Sequence, residues 1–458
     1  ADTDIQRVAT MLTTDLIIIG AGPGGYEPAL LAARRGLSVA LIERGEVGGT
    51  CLNEGCIPTK ALCRTAAMVS DFAEAEAFGI KDVAFTLDFP AVMERKRAVV
   101  KQLRDGVESL ISNPNIHLLR GEARFVDALT VEAAGERVTA KDVIIATGSS
   151  SAMLPIDGNT LEGVLTSREL LDIDSVPQRL CIVGAGVIGL EFASVFSAFG
   201  SEVTVLEYAK EVLPHFDSDL AKRLRQSLGK RGIKIETQAA VKSIAKEGDG
   251  LAVAYERKGK EQSVTADKVL MAVGRRANVG TLNLADIGVE FSPRGIAVDS
   301  NMQTNVPHVY AVGDVNGLMM LAHAATFQGI RALDAIMGVD DNLRLDVIPA
   351  AVFTMPEVGM VGLTEDDCKA QGIEYVAKKA FFRANGKAVC LGETDGYCKL
   401  IAAADGRLLG CHIYGPHAAD LVQEACALVT RGDSIADLQG IVHSHPTLSE
   451  IVQSAAHC

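Results

Sequence analysis

Cys51 and Cys56 stand five residues apart in the run Gly48-Gly49-Thr50-Cys51-Leu52-Asn53-Glu54-Gly55-Cys56-Ile57-Pro58-Thr59-Lys60, and thiols at that spacing can bridge across a turn. As a staple such a bridge would add little, because closing so short a loop constrains the unfolded chain by only about 2 kcal/mol. Thiol–disulfide redox chemistry is the better reason for the pair. Cys56 falls where a helix is predicted to begin, with Pro58 in its first turn, and a helix N-terminus favours the thiolate. Lys60, one turn further on, adds positive charge. The competing readings are two core thiols or half of a metal site, but no second Cys/His cluster with ligand spacing completes a zinc set, and no metal is expected. The remaining cysteines, at 63, 181, 368, 390, 398, 411, 426 and 458, are isolated. They read as small buried apolar side chains and not as a secreted disulfide framework.

Thiol exchange needs a base to take a proton from a dithiol, and imidazole works best near neutral pH. The stretch His443-Ser444-His445-Pro446-Thr447-Leu448-Ser449-Glu450 offers one, with a carboxylate able to orient the ring. A histidine five residues before a glutamate says little alone. It gains meaning beside a redox cysteine pair.

The elements that must position these groups carry their own signature. The apolar run at 16–19 leads into Gly20-Ala21-Gly22-Pro23-Gly24-Gly25, a helix-like stretch to Arg35, a strand at 38–42 and Glu43. The same unit recurs as 180–183, Gly184-Ala185-Gly186-Val187-Ile188-Gly189, a helix-like 190–199, a strand at 202–206 and Glu207. In both copies the acid lies 23 residues after the first glycine. Strand, glycine-rich turn, helix, strand and acid is the dinucleotide-binding arrangement: the glycines admit a pyrophosphate to the backbone, the helix N-terminus supplies donors, and the acid accepts ribose hydroxyls. Segment 143–148 reads as a strand ending in a turn, 149–158 as a loop leaving the first domain, 269–276 as the strand closing the second unit, and 309–312 as another strand running into Gly313-Asp314. From about Pro349 the pattern changes, with short strands at 350–353 and 407–414 and helices near 418–430 and 435–440.

At 458 residues the chain calls for several domains, and its many aliphatic residues and glycines with no tryptophan suit parallel α/β layers. The expected fold is α/β: two Rossmann-like dinucleotide-binding domains plus a C-terminal α+β domain, which the family resemblance named next makes a dimerisation domain. The boundaries read as 1–10 a tag or disordered leader, 11–150 and 151–273 the two nucleotide domains, 274–348 a central domain and 349–458 a C-terminal domain; completing the first nucleotide site and forming the interface are the roles that the family resemblance implies for the last two. The net charge of −14 argues against nucleic acid or an anionic membrane as partner. No apolar run approaches the roughly 18 residues of a membrane span, and the start lacks a signal-peptide pattern, so a soluble, cytoplasmic enzyme is expected.

With these pieces in order along nearly the whole chain after residue 10, the sequence resembles the pyridine nucleotide–disulfide oxidoreductases, and within them the dihydrolipoyl dehydrogenase branch. The most specific matches are the cysteine run at 48–60, Tyr310-Ala311-Val312-Gly313-Asp314, Leu321-Ala322-His323-Ala324-Ala325, and His443-x-His445-Pro446-Thr447-Leu448-Ser449-Glu450. The resemblance implies an enzyme with FAD on the first nucleotide unit and NAD on the second. FAD would be held by Gly20, Gly22, Pro23, Gly24, Gly25, Glu43, Gly49, Thr50, Lys60, Ala123, Thr147, Gly148, Asp314, Met320, Leu321, Ala322 and His323. NAD would be held by Gly184, Gly186, Val187, Ile188, Gly189, Glu191, Glu207, Val241 and Gly274. Cys51 would be the thiol that meets substrate and Cys56 the one against the flavin, with Lys60 paired to Glu191. His445, oriented by Glu450, would be the base, reaching the site from the other subunit of a homodimer. The implied substrate is the dihydrolipoyl group of a lipoyl domain or free dihydrolipoamide, and the implied assembly a 2-oxo acid dehydrogenase or glycine-cleavage complex.

The sequence departs from the family at Tyr26-Glu27-Pro28-Ala29, where small apolar residues are usual and where Pro28 is expected to distort the first turns of the helix. Gly274-Arg275-Arg276-Ala277-Asn278 lacks the usual proline. Glutathione-type and mercuric-ion reductases are the main rivals. Glu207 is followed by Tyr208-Ala209-Lys210 with no arginine for a 2′-phosphate, which favours NAD over NADP, and a lone Cys458 stands where mercuric reductases carry a vicinal pair. A flavin-binding protein without turnover would be expected to lack Cys51, Cys56 or His445, and all three are present.

Overall fold

In the computed structural model, residues 11–458 are described; the expected leader at 1–10 lies outside them. The chain forms two units. The first comprises the described residues up to Pro58 together with 95–151 and 275–345, and the second comprises 59–94, 152–274 and 346–458.

The first unit is built on a parallel sheet ordered Val309–Ala311, Asp142–Ile145, Leu16–Ile19, Val39–Glu43, Ile116–Arg120. All four residues of the central Leu16–Ile19 strand are buried, because both faces of the sheet are covered; this is why the strand reads as an unbroken apolar run and not as an alternation. Leu16 and Ile18 pack with Ala29 and Leu333 of the helices Pro23–Arg34 and Ala322–Met337. Ile17 and Ile19 face the other way, into Phe125, Val131 and Val138 of a four-stranded sheet.

The second unit repeats the design with Val164–Leu165, Lys268–Met271, Arg179–Val183, Glu202–Glu207 and Lys234–Thr237. One face of that sheet is covered by the helices Val187–Ala198 and Ser218–Lys230, the other by the antiparallel strands Ala239–Glu247, Gly250–Arg257 and Lys260–Ala266. Beyond it lies an antiparallel sheet ordered Ala350–Val352, Glu357–Gly362, Leu408–Gly415, Tyr397–Ala403, Tyr375–Phe381. Its apolar side packs on the helices Ala418–Arg431 and Glu450–His457. Among the described residues no helix is long and apolar enough to cross a membrane.

Two local expectations are corrected. The segment 149–158 is not simply a loop, because Ser149–Ser151 is a strand paired antiparallel with Arg275–Ala277. Segment 269–276 is likewise not one strand: Lys268–Met271 belongs to the second unit's sheet, and Arg275 begins the pairing with Ser151 in the first unit. Around Pro28 the helix is continuous from Pro23 to Arg34. Proline leaves the Gly24 carbonyl without its N–H partner, and Gly329 of the Ala322–Met337 helix packs against that gap. A Cβ on Gly329 would lie 2.7 Å from Pro28 Cγ and 3.1 Å from the Gly24 oxygen.

The Pro28 ring and the bare Gly329 therefore fit as a pair. Gly329→Ala is expected to destabilise the protein by about 1–3 kcal/mol through overpacking, read as a lower thermal midpoint. Pro28→Ala in the same chain is expected to recover part of that loss, since the ring is the nearest obstacle. A Gly329→Ala protein as stable as the parent would contradict the fit.

Candidate active site

Each nucleotide unit depends on glycines that no other residue could replace. Gly20 sits at φ 106° and Gly184 at φ 104°, where a Cβ would overlap the carbonyl oxygens of Ala146 and Ala272. Gly25 and Gly189, in the first turn of each helix, pack so closely that a Cβ would overlap the oxygens of Gly20 and Gly184. The middle glycines differ: nothing lies within 4 Å of a Cβ on Gly186, and on Gly22 it would reach Gly49 Cα at 3.7 Å. These open glycines cap the helices that begin at Pro23 and Val187, with Ile188 following in the second. Glu43 Oε2 accepts from Ala21 N at 2.8 Å and Oε1 from Gly45 N at 2.7 Å; Glu207 Oε2 accepts from Ala185 N at 2.6 Å and Oε1 from Ala209 N at 2.7 Å. Each carboxylate keeps lone pairs for ribose hydroxyls. Both cradles fit a dinucleotide: a helix N-terminus, a glycine with room for a phosphate, and an acid fixed at the strand end.

The rest of the first unit's expected ribbon is assembled around a short staple. Arg275 donates to Ser149 Oγ at 2.7 Å and to Ser149 O at 2.8 Å, and Ser149 Oγ lies 2.5 Å from Asp314 Oδ2. Asn278 Nδ2 donates to Thr147 O at 2.9 Å, Thr147 Oγ1 donates to Asn278 O at 2.8 Å, and Asn278 N donates to Gly148 O at 3.0 Å. Thr147, Gly148 and Asp314 are thereby held together. The staple residues Ser149, Arg275 and Asn278 were missed as positioning groups, although the 274–278 motif carried the signal for Arg275 and Asn278. Buried Ala123 follows Gly121, whose N–H donates to Glu43 O at 2.9 Å. Met320, Leu321 and Ala322 are half-buried where the Ala322–Met337 helix begins, and His323 is exposed in its first turn.

Gly48 and Gly49, at φ 94° and 62°, turn the chain into the short helix Gly49–Glu54, which carries Thr50 and Cys51. The next helix, Cys56–Glu74, starts on Cys56, so its thiol lies at the positive end of the helix dipole. The two cysteines lie near disulfide distance and are half-buried. Asn53, unnoticed in the sequence, ties the loop by donating to Val47 O at 2.9 Å and Gly49 O at 3.0 Å while accepting from Arg104 at 3.3 Å. Cys63 is a contrast, since burial pushes its thiol up to about 12. Among the isolated cysteines, 181, 368, 398, 411 and 426 are buried as expected, whereas Cys390 and Cys458 are exposed.

In the second unit, Lys60 Nζ lies 2.8 Å from Glu191 Oε2. Glu191 is 3% exposed, and its Oε1 accepts from Phe353 N at 2.9 Å. The Phe353 ring, which lies outside every motif, is 4.6 Å from the Lys60 ammonium. Val241 is half-buried on the Ala239–Glu247 strand, and Gly274 O accepts from Ala152 N at 2.9 Å.

The two histidines near the C-terminus differ sharply. The His443 side chain is 4% exposed, with Nε2 2.8 Å from Glu424. His445 is 77% exposed, with Nδ1 2.9 Å from Glu450 Oε1, leaving Nε2 pointed away from the carboxylate. The Thr447 N–H, then His445, hold the Glu450 carboxyl below its usual range. An ionised Glu450 fixes the His445 tautomer with Nε2 as acceptor, which is what a base requires.

The sequence profile of the pyridine nucleotide-disulphide oxidoreductases matches residues 14–329, and that of the same family's dimerisation domain matches 348–456, which supports a homodimer. A dihydrolipoyl dehydrogenase of Geobacillus stearothermophilus is 39% identical over 451 residues, 97% of this chain and 96% of the relative. One of Bacillus subtilis is 39% identical over 452 residues, with the same coverage. Among solved structures, the HOCl-induced flavoprotein disulfide reductase RclA from Escherichia coli superposes with a TM-score of 0.87 at 28% identity, covering 97% of this chain and 99% of that one.

Glu191 joins Lys60 and the Phe353 backbone from a nearly dry position. Glu191→Ala is expected to cost about 2–4 kcal/mol, because it removes the acceptor shared by the Phe353 N–H and a partly buried ammonium. Glu191→Gln, which keeps an acceptor oxygen, is expected to cost less. Equal thermal midpoints for the parent and the alanine variant would show that the pair carries no structural weight.

Proposed function

Because the chain belongs to the pyridine nucleotide–disulfide oxidoreductases, flavoenzymes that use FAD and NAD, we propose that it oxidises dihydrolipoyl groups to the disulfide, with NAD as final acceptor. The observation that carries this reading is the Cys51 and Cys56 pair, near disulfide distance and ending on a helix N-terminus. The names of the relatives supply the substrate class.

In the proposed cycle, His445 Nε2 takes a proton from one thiol of the substrate. The resulting thiolate attacks Cys51 Sγ of the Cys51–Cys56 disulfide and displaces Cys56 as thiolate. His445 passes that proton to Cys51 as it leaves and takes the proton of the second substrate thiol, whose thiolate attacks the mixed disulfide at the substrate sulfur and closes the cyclic disulfide; Cys51 then carries one proton, His445 the other, and Cys56 is the thiolate. Two electrons have passed to the cysteine pair, and two protons have left the substrate. Bound FAD supplies the two-electron carrier from the pair to NAD. The staple of Arg275 and Asn278 would hold Asp314 and Thr147 to that flavin, and Glu43 and Glu207 would hold the riboses of FAD and NAD. Exposure of His445 in the single chain supports a base acting on the partner subunit's cysteine pair. The same reading has the enzyme in the cytoplasm, receiving its dithiol from the lipoyl domain of a 2-oxo acid dehydrogenase or glycine-cleavage complex.

Steady-state turnover with dihydrolipoamide, glutathione and mercuric ion, each with the NAD and NADP couples, tests the assignment. Dihydrolipoamide with NAD is expected to be the fastest combination, and preference for either rival substrate would overturn it. Cys51→Ser and Cys56→Ser are each expected to abolish dithiol oxidation while leaving yellow, flavin-bound protein. Retained turnover in either variant would remove the cysteine pair from the mechanism. Glu207→Ala is expected to raise KM for NAD and narrow its advantage over NADP, since the carboxylate that accepts ribose hydroxyls also repels a 2′-phosphate. An unchanged ratio of kcat/KM values would locate cofactor choice elsewhere.

A further inference from the structure

The two nucleotide corners are built alike up to the acid and differ at the residue after it. In each, Oε1 of the acid accepts from the N–H two residues on, Gly45 in the first unit and Ala209 in the second, which makes the intervening residue the apex of a tight turn. In the first unit that residue is Arg44, whose guanidinium turns back to Glu122 at 3.3 Å. In the second it is Tyr208.

Tyr208 is 80% exposed, the most exposed aromatic side chain among the described residues. Among those residues its hydroxyl has no hydrogen-bond partner and its ring no aromatic or cationic neighbour. Its backbone, in contrast, is held on both sides: Glu207 Oε1 takes the Ala209 N–H, and Ala209 O accepts from Gln238 N at 2.9 Å. A bare ring is thus presented to solvent from a fixed base, so little backbone freedom is lost when something covers it. Packing within the unit does not account for an aromatic residue here.

The neighbouring acid says what would cover it. On the assignment of NAD to the second unit, on which this inference rests, Glu207 holds the hydroxyls of the adenosine ribose, and adenine is bonded to the carbon of that sugar next to the 2′ position. Consecutive Cα atoms lie about 3.8 Å apart, so Tyr208 is within reach of the base once the ribose is seated. We propose that Tyr208 is the platform on which the adenine of NAD stacks, face on ring, with its phenol hydroxyl left in water. Stacking responds to the flat face of the base and not to charge. Tyr208 therefore adds affinity for the adenosine half of the dinucleotide and leaves the choice between NAD and NADP to Glu207.

Calorimetric titration of the FAD-loaded protein with ADP-ribose, which carries adenine and both riboses but no nicotinamide, reads this contact without turnover. Tyr208→Ala is expected to weaken binding roughly fivefold to a hundredfold, the range of one base–aromatic stack, and Tyr208→Phe to hold it within about twofold of the parent, because the ring is kept. With no tryptophan in the chain, the ultraviolet difference spectrum adds a second signature. ADP-ribose is expected to perturb the tyrosine band of the parent, and the phenylalanine variant to bind with that perturbation lost. Glu207→Ala separates this inference from the assignment beneath it. Weaker binding in Glu207→Ala with no change in Tyr208→Ala would overturn the platform and keep NAD in the second unit. Unchanged binding in both would overturn the NAD assignment and the platform with it. Equal losses in Tyr208→Ala and Tyr208→Phe would also overturn the platform, since a stack does not depend on the hydroxyl.

Discussion

The contact on which both nucleotide units depend is the approach of backbone to backbone at the glycine turns. Gly25 packs on the Gly20 carbonyl, and Gly189 on the Gly184 carbonyl, at distances that exclude any side chain. That approach seats each helix on its strand and aims its first N–H groups past an open glycine, where a pyrophosphate can be met by donors and dipole together. The carboxylates of Glu43 and Glu207 then hook the N–H between the first two glycines. Turn, helix and acid become one rigid corner. Because the corner is made twice from the same parts, the chain can handle two dinucleotides with one solution to the packing problem.

Chemistry is allotted by environment and not by residue type. Ten cysteines share one thiol chemistry, yet Cys63 is pushed up to about 12 by burial within the same helix that opens on Cys56. Position at the helix end and position in the core have opposite effects on a thiolate. The histidines divide in the same way: Glu424 sequesters His443, whereas Glu450 holds His445 by one nitrogen and leaves the other exposed.

What was legible in the sequence was what contiguous segments determine. The Leu16–Ile19 strand, the helix starting at Cys56 and both strand–turn–helix–acid corners are dictated by neighbours in the chain, through sterics and burial on two faces. What was not legible depends on distant partners. Ser149–Ser151 has no strand pattern and becomes a strand only because Arg275–Ala277, some 126 residues later, pairs with it and Arg275 hydrogen-bonds Ser149. Pro28 reads as a distortion of its helix, and the Gly329 that packs against it is some 300 residues away. Lys399, which belongs to no motif, is fully buried in the Tyr397–Ala403 strand, donating to Asp217 at 2.6 Å and Glu365 at 2.7 Å. Burial opposes its charge, and those two carboxylates outweigh it to hold the ammonium above the ordinary lysine range.

The central claim is that Cys51 and Cys56 of one subunit work with His445 of another, and mixing two inactive proteins tests it most directly. Cys51→Ser subunits retain the histidine and His445→Gln subunits retain the cysteine pair, so a heterodimer rebuilds one of its two sites if the base crosses the two-fold interface. After demonstrated subunit exchange, dihydrolipoamide oxidation is expected to return in proportion to the heterodimer population. Exchange without any recovery of turnover would contradict the shared site and confine the mechanism to a single chain.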